Sequence, residues 1–498
     1  MSRIEGGKDY LCYIGGQWCA AESGETFETT DPFLGKPWAR IPKCDSRDVD
    51  KAVAAARKAF DHGDWANMHP SQRGQLLHRL GDLIARDADH LAAIEVQDNG
   101  KLYAEMRGQT GYIPQWFYYF GGLADKIEGA VLPIDKADMF TYTRHEAVGV
   151  VAAITPWNSP LLLTTWKLAP ALAAGCTLVL KPSEFTSAST LELMRLVEEA
   201  GFPPGVVNVI TGFGQDVGEA LTTHPDVDKI AFTGGEVSGR HIARNAAGTF
   251  KRLTLELGGK SAQLVFPDAD IDNAVKGVVS GIFAATGQTC IAGSRLLVHD
   301  SVHDEFLEKF VALAKTARMG DPMDAATQVG PVTTQPQYQR VLSCIAMARD
   351  EGADCVMGGK PADRPECGDG WFIEPTVFAG VQNSMRIAQE EVFGPVLSVI
   401  RFHDDDEAYA LANDTAYGLA AGVWTGDLKR SFTAAKRLRA GMIWTNTYRA
   451  VSYMAPFGGF KSSGIGRESG QEAIFDYLET KCVWMAYNKD VPNPFVMR

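Results

Sequence analysis

The sequence has no C-x-x-C pair and no Cys/His cluster at zinc spacing, although it holds nine cysteines. They stand apart at positions 12, 19, 44, 176, 290, 344, 355, 367 and 482. This odd, dispersed set speaks against a zinc module or a disulfide framework and suits free thiols in a reducing compartment. No uncharged apolar run reaches ~18 residues, so no membrane span is expected. The opening MSRIEGGKDYLCYIGGQW has no apolar core of the secretory type. A cytoplasmic location is the expectation that remains. Positive charge is also in deficit: 48 Lys and Arg against 61 Asp and Glu give a net −13. A nucleic-acid or polybasic membrane role is therefore disfavoured. Internal repeats, low-complexity tracts and Pro/Ser-rich linkers are missing too.

What is present describes a large globular chain. Apolar residues make up 45% and charged residues 22%, and 498 residues suggest about three domain-sized units. Residues 46–60 and 71–94 repeat apolar side chains near every 3.6 residues and predict amphipathic helices. Residues 104–123 read as a helix rich in aromatics.

From residue 148 the rhythm changes. VGVVAAI (148–154), TLVLK (177–181), VVNVI (206–210), KIAF (229–232) and LTLEL (253–257) are short apolar runs. Helical stretches separate them: TTWKLAPALAAG, then about 187–200, then from about 236. This alternation predicts βαβ units and a parallel sheet. Pro170 should kink or split its helix. A second α/β run is expected over 259–445, with strands at 295–299, 396–402 and 442–445. TYTRHEA (141–147) and YLETKCVWMAY (477–487) read as edge strands, and uncovered edges aggregate. Pairing across subunits is the expected cover; pairing within the chain is the alternative.

A parallel sheet of this kind presents ligands at the carboxyl ends of its strands. TPWNSP (155–160) follows the first strand. Asn158 there is either a turn residue between prolines or an amide donor to an oxyanion. KPSE (181–184) offers Lys181 and Glu184 as ribose contacts, or is a solvated loop. TGGEVSGR (233–240) opens a helix whose amides can hold phosphate, although empty glycine turns are as common. LELGGKS (255–261) puts Glu256 among leucines, where a carboxylate is costly unless paired or protonated. Burial would raise its pKa and suit a general base; a paired structural glutamate is the alternative. TGQTCIAGSR (286–295) holds Cys290, a packing residue or a nucleophile.

In this order and spacing, these segments and EEVFGPV (390–396) resemble the aldehyde dehydrogenase superfamily. The resemblance spans nearly the whole chain, including PFGGFKSSGIGRE (456–468). It implies an α/β fold with a Rossmann-type cofactor domain (1–124 and 148–258) and an α/β catalytic domain (259–470). A small β oligomerisation arm (125–147 and 471–498) completes it. The implied activity is NAD-dependent oxidation of an aldehyde to a carboxylic acid, in a homodimer or homotetramer. By the same resemblance Cys290 is the nucleophile, forming a thiohemiacetal and then a thioester. Asn158 and the Cys290 amide hold the oxyanion, Glu256 activates water, and Lys167 supports that region.

Cofactor contacts carried over are Thr155, Trp157, Lys181, Glu184, Gly214, Gly234, Gly235, Glu391 and Phe393, with Gly212 in a nearby turn. Glu184 favours a free ribose hydroxyl, hence NAD over NADP. Gly235 departs from the serine of many members and removes a hydroxyl contact to the pyrophosphate. The acyl tunnel would be lined by Tyr112, Trp166, Thr289, Ile291, Val451 and Phe457, and roomier at Ala284. Arg449 sits near its mouth as solvated surface or as a partner for a semialdehyde carboxylate. Phe117, Tyr118 and Tyr119 are expected to pack a helix. Competing readings are a coenzyme A-acylating relative, disfavoured by Glu256, and a catalytically silent protein, disfavoured by intact Cys290, Glu256 and Asn158.

Overall fold

A computed structural model describes residues 3–4, 6–487 and 493–496. Residues 1, 2 and 5 of the expected cofactor domain, and 488–492 and 497–498 of the expected arm, lie outside the described residues. Five parallel strands form the centre of the first sheet, in the order Val207–Val209, Thr177–Lys181, Val150–Ile154, Lys229–Thr233, Arg252–Glu256. The middle three are buried at every residue, as parallel strands covered on both faces must be. The strand order reverses beside Val150–Ile154, which makes a switch point between it and Lys229–Thr233. Antiparallel additions close both sides: Cys12–Ile14 and Gln17–Cys19 at one, Gly464–Ile465 at the other.

The second sheet runs Asp354–Met357, Thr376–Ala379, Val396–Phe402, Arg295–His299, Ala262–Val265, Ala420–Trp424, Met442–Thr445. All its pairings are parallel except the first. Only Leu257–Ser261 separates the last parallel strand of one sheet from a central strand of the other. The carboxyl edge of the first sheet thereby meets the amino edge of the second.

Helices cover both sheets. Asp45 and Asp48 form a reciprocal cap on the helix Ser46–Asp61. The span 71–94 is two helices, Pro70–Arg86 and Ala88–Asn99, broken at Asp87. The span 104–123 also divides, at Pro114, which opens the second helix Pro114–Leu123. Pro170 does not split its helix: Pro160–Ala174 is continuous and every residue of it is buried. Burial on all sides outweighs the lost hydrogen bond there. Asp404 caps the helix Asp405–Asn413, whose first turn carries Asp405, Asp406 and Glu407.

The two edge strands correct an expectation. Met139–Ala147 pairs antiparallel with Leu478–Ala486 of the same chain, from Ala147↔Leu478 to Met139↔Ala486. The ribbon still exposes Met139, Trp484 and Met485. Among the described residues, no helix is long and apolar enough to cross a membrane.

Candidate active site

The switch point opens into a cleft of about 380 Å³, continuous with solvent. It collects groups from both sheet edges: Trp157 and Asn158, Gly234 and Gly235, Glu256, Cys290, Glu391 and Phe393. Cys290 and Glu256 thus share one space although they are far apart in the chain.

Glu256 ends its strand in hydrocarbon, and neither carboxylate oxygen has a hydrogen-bond partner. This removes the paired structural reading. Burial pushes its pKa well above the usual carboxylate range, and the charge of Glu468 pushes the same way; Lys167 and Arg467 oppose them. Cys290 is half-buried on the cleft wall. Burial, then the charges of Glu256 and Glu391, push its thiol up to about 12. The N–H groups of Ile291 and of Cys290 itself face the sulfur and pull the other way. Asn158 Nδ2 donates to Gln288 O at 2.9 Å, which spends one of its two N–H groups. Lys167 is fully buried behind the cleft, its Nζ donating to Thr233 Oγ1 and Glu468 Oε1, both at 2.7 Å.

Opposite the thiol, Glu391 Oε1 accepts from Gly259 N at 2.9 Å. A Cβ on Gly258 would collide with this carboxylate, so only glycine permits the approach. Burial raises Glu391 to about 7. Phe393 has a left-handed backbone (φ +56°), a strained conformation for a bulky residue. Its ring stands edge-on to Trp157 at 5.2 Å.

Three cleft residues have no sequence expectation. Gln337 donates to Val392 O (2.8 Å) and Phe393 O (3.0 Å), and Arg340 to Glu391 O (3.1 Å). They fix the Glu391–Phe393 loop from one helix, Gln335–Asp350. Tyr417 donates to Glu236 Oε2 at 3.0 Å. All three act through backbone or long-range partners, so no local pattern announces them.

The remaining cofactor candidates are not among the residues that line the cleft. Thr155 N donates to Lys181 O, and Lys181 Nζ stands 3.5 Å from Glu184. Gly214 opens the short helical turn Gly214–Gly218, and Gly212 packs against Cys44 O. The helix Glu236–Ala247 begins just after Gly235, and its first residues Glu236, Val237 and Ser238 line the cleft.

The tunnel candidates form an aromatic group beside Cys290. Trp166 meets Phe457 at 4.7 Å and Trp116 at 6.1 Å; Tyr112 meets Trp116 at 5.1 Å. Ile291, Val451 and Cys290 pack in the same cluster. The Thr289 hydroxyl is buried without a partner, and Ala284 ends its helix half-buried. Tyr453, absent from the expectations, contacts Tyr112, Trp116 and Tyr119. Phe117 is buried and Tyr118 donates to Asp82, as helix-packing residues do. Arg449, half-buried at φ +65°, spends Nη1 on Ser280 O at 3.2 Å. Among the other thiols, Cys12 and Cys44 lie 3.3 Å apart in the core. Cys482 is exposed because its strand lies in the outlying ribbon.

A model of the aldehyde dehydrogenase family matches residues 18–483. A dehydrogenase of Acinetobacter baylyi named for (Z)-2-((N-methylformamido)methylene)-5-hydroxybutyrolactone is 45% identical, with 99% of this chain and 100% of that one aligned. The NAD+ complex of a Bacillus cereus aldehyde dehydrogenase is 42% identical with a TM-score of 0.94, covering 97% of both chains. The NAD+ complex of a Staphylococcus aureus betaine aldehyde dehydrogenase is 40% identical with a TM-score of 0.97, covering 98% of this chain and 97% of that one. The chain belongs to the aldehyde dehydrogenase family.

Proposed function

We propose that the protein oxidises an aldehyde to its carboxylic acid with NAD, with Cys290 as nucleophile and Glu256 as base. One observation carries this reading: a thiol and a buried carboxylate with no hydrogen-bond partner face a single cleft. An unpaired buried carboxylate is costly, and a site that must accept protons near neutrality is where that cost is useful.

The Cys290 proton leaves for Glu256, and sulfur adds to the aldehyde carbon while the carbonyl pair moves to oxygen. The second N–H of Asn158 and the Cys290 amide hold that oxyanion. When bound, the nicotinamide supplies the acceptor for the hydride. Glu256 first releases the Cys290 proton to solvent; ionised again, it takes a proton from water as the water oxygen attacks the acyl carbon, and the Cys290 thiolate departs. Lys167 steadies this corner by holding Thr233 and Glu468.

The cleft fits a dinucleotide: it lies at the switch point, a helix N-terminus opens onto it, and its volume suits a nicotinamide-ribose half. Glu391 would hold that ribose, and Trp157 and Phe393 would flank the ring. Gly234, Gly235 and the amides after them would take the pyrophosphate. Thr155, Lys181, Glu184 and Gly214 would surround the adenosine, where Glu184 favours NAD over NADP. Tyr112, Trp166, Thr289, Ile291, Val451 and Phe457 would line the acyl tunnel, with Arg449 outside it.

The domain reading follows: residues 1–124 and 148–258 for the cofactor, 259–470 for catalysis, and 125–147 with 471–498 as the arm. The exposed apolar side chains of the ribbon support a homodimer or homotetramer. Nine unpaired cysteines support a reducing, cytoplasmic setting.

The test is a panel of aldehydes with NAD and with NADP, following absorbance of the reduced cofactor. Turnover with NAD should exceed that with NADP. Cys290→Ala should lower kcat by about 10⁴-fold or more, as loss of a nucleophile does. Turnover persisting in that variant would overturn the proposal.

A further inference from the structure

Lys101 is a buried lysine, 4% exposed, in the turn after the helix Ala88–Asn99. Burying an ammonium is expensive, so its placement asks for a purpose. Its Nζ donates to Ser159 Oγ at 2.8 Å, inside the protein. Ser159 follows Asn158 and precedes the helix Pro160–Ala174, yet its hydroxyl does not cap that helix. The hydroxyl answers to Lys101 instead. The next free amide of the same helix, Leu161 N, donates to Glu95 Oε1 at 2.8 Å. Two residues of one helix end therefore clamp the backbone that carries Asn158.

The same turn also reaches the nucleophile loop. Thr333 Oγ1 donates to Asn99 O at 2.6 Å, and Thr333 N donates to Gln288 Oε1 at 2.9 Å. Gln288 O is the acceptor for Asn158. One residue past the tunnel position 284, Ala285, left-handed at φ +51°, gives its N–H to Glu105 Oε1 at 3.0 Å. Gly100, at φ +75°, makes this turn possible; a Cβ there would stand 2.8 Å from Pro331 Cγ. The turn thus braces both partners of the Asn158–Gln288 hydrogen bond.

We propose that Lys101 is a positioning residue for aldehyde oxidation, fixing the Asn158 amide through Ser159. This rests on the reading of Asn158 as an oxyanion donor. Burial lowers the pKa of the ammonium to about 8; the titratable groups that face it are Glu105, Arg449, Glu95 and the Cys290 thiol. The geometry stands without that shift: oxyanion donors act by being held in place, and a small misplacement costs rate rather than binding.

The test compares Lys101→Met, Ser159→Ala and Asn158→Ala, singly and in pairs, with saturating NAD and a simple aldehyde. Lys101→Met should lower kcat about tenfold to a hundredfold, a share of the loss caused by deleting an oxyanion donor. The KM for NAD and the rate at which iodoacetamide alkylates Cys290 should stay within about twofold. In the Asn158→Ala background, Lys101→Met should cost less than about twofold more, because both act through one amide. Ser159→Ala should follow the same pattern, and it decides the matter if Lys101→Met does not fold. A kcat within twofold of the parent, losses that multiply, or equal damage to KM and alkylation would each overturn the inference. If Asn158→Ala alone leaves kcat intact, the oxyanion reading fails in that single variant and the inference falls with it.

Discussion

Glu468 hands one oxygen to the Lys167 ammonium, and both are buried. Glu256 is just as buried, close enough to feel the charge of Glu468, and has no partner on either oxygen. The two carboxylates differ in position by little and in environment by a great deal. One is neutralised by a cation that would otherwise be stranded. The other is left to be protonated or to be used. Buried charge in this corner is thus of two kinds: one that the fold requires, and one that it tolerates.

Substitution separates the two kinds. Glu256→Gln should lower kcat by about 10²–10⁴-fold, the usual worth of a general base, without lowering stability, because it removes a group that desolvation penalises. A single turnover that still yields reduced cofactor, with the acyl group retained on Cys290, would place the loss in the hydrolytic half. Glu468→Gln should do the reverse. It strands Lys167, and breaking a buried ion pair costs about 3–5 kcal/mol, read in thermal and denaturant melts. If Glu256→Gln melts early and Glu468→Gln does not, the distinction is void.

The remaining prediction concerns pH. A thiol pushed up to about 12 is protonated at neutrality, and its thiolate fraction grows about tenfold per pH unit below that value. Alkylation of Cys290 in the cofactor-free protein should therefore climb steadily from pH 7 to 10. A plateau below pH 8 would mean that burial, with the charges of Glu256 and Glu391, does not hold the thiol protonated.

Much of the fold was legible because fully buried strands are continuous apolar runs. Thr177–Lys181, Arg295–His299, Val396–Phe402 and Met442–Thr445 lie where their sequences predict them. Breaks inside helical periodicity were not legible. Asp87 interrupts a pattern that continues in phase on both sides, and Pro170 sits in a helix that its surroundings hold together. Nor was the partner of Met139–Ala147, since strand pairing across most of the chain leaves no local trace.

At the site, Cys290, Glu256 and Asn158 stood out because each occupies a segment with unusual neighbours, and Glu391 came with the family resemblance. Gln337 and Arg340 hold the Glu391 segment, and Tyr417 holds Glu236, from elements with ordinary composition. Tyr453 belongs to an aromatic group assembled from three separate stretches, which spacing cannot reveal.

The short strand Gly464–Ile465 borders the strand that ends in Glu256, and Glu468 lies just beyond it. Both belong to the last tenth of the chain. A growing polypeptide that already contains residues 158, 256, 290 and 391 still lacks the rail along its final parallel strand and the counterion for Lys167. A chain that stops before residue 464 should therefore carry the thiol without the corner that would direct it.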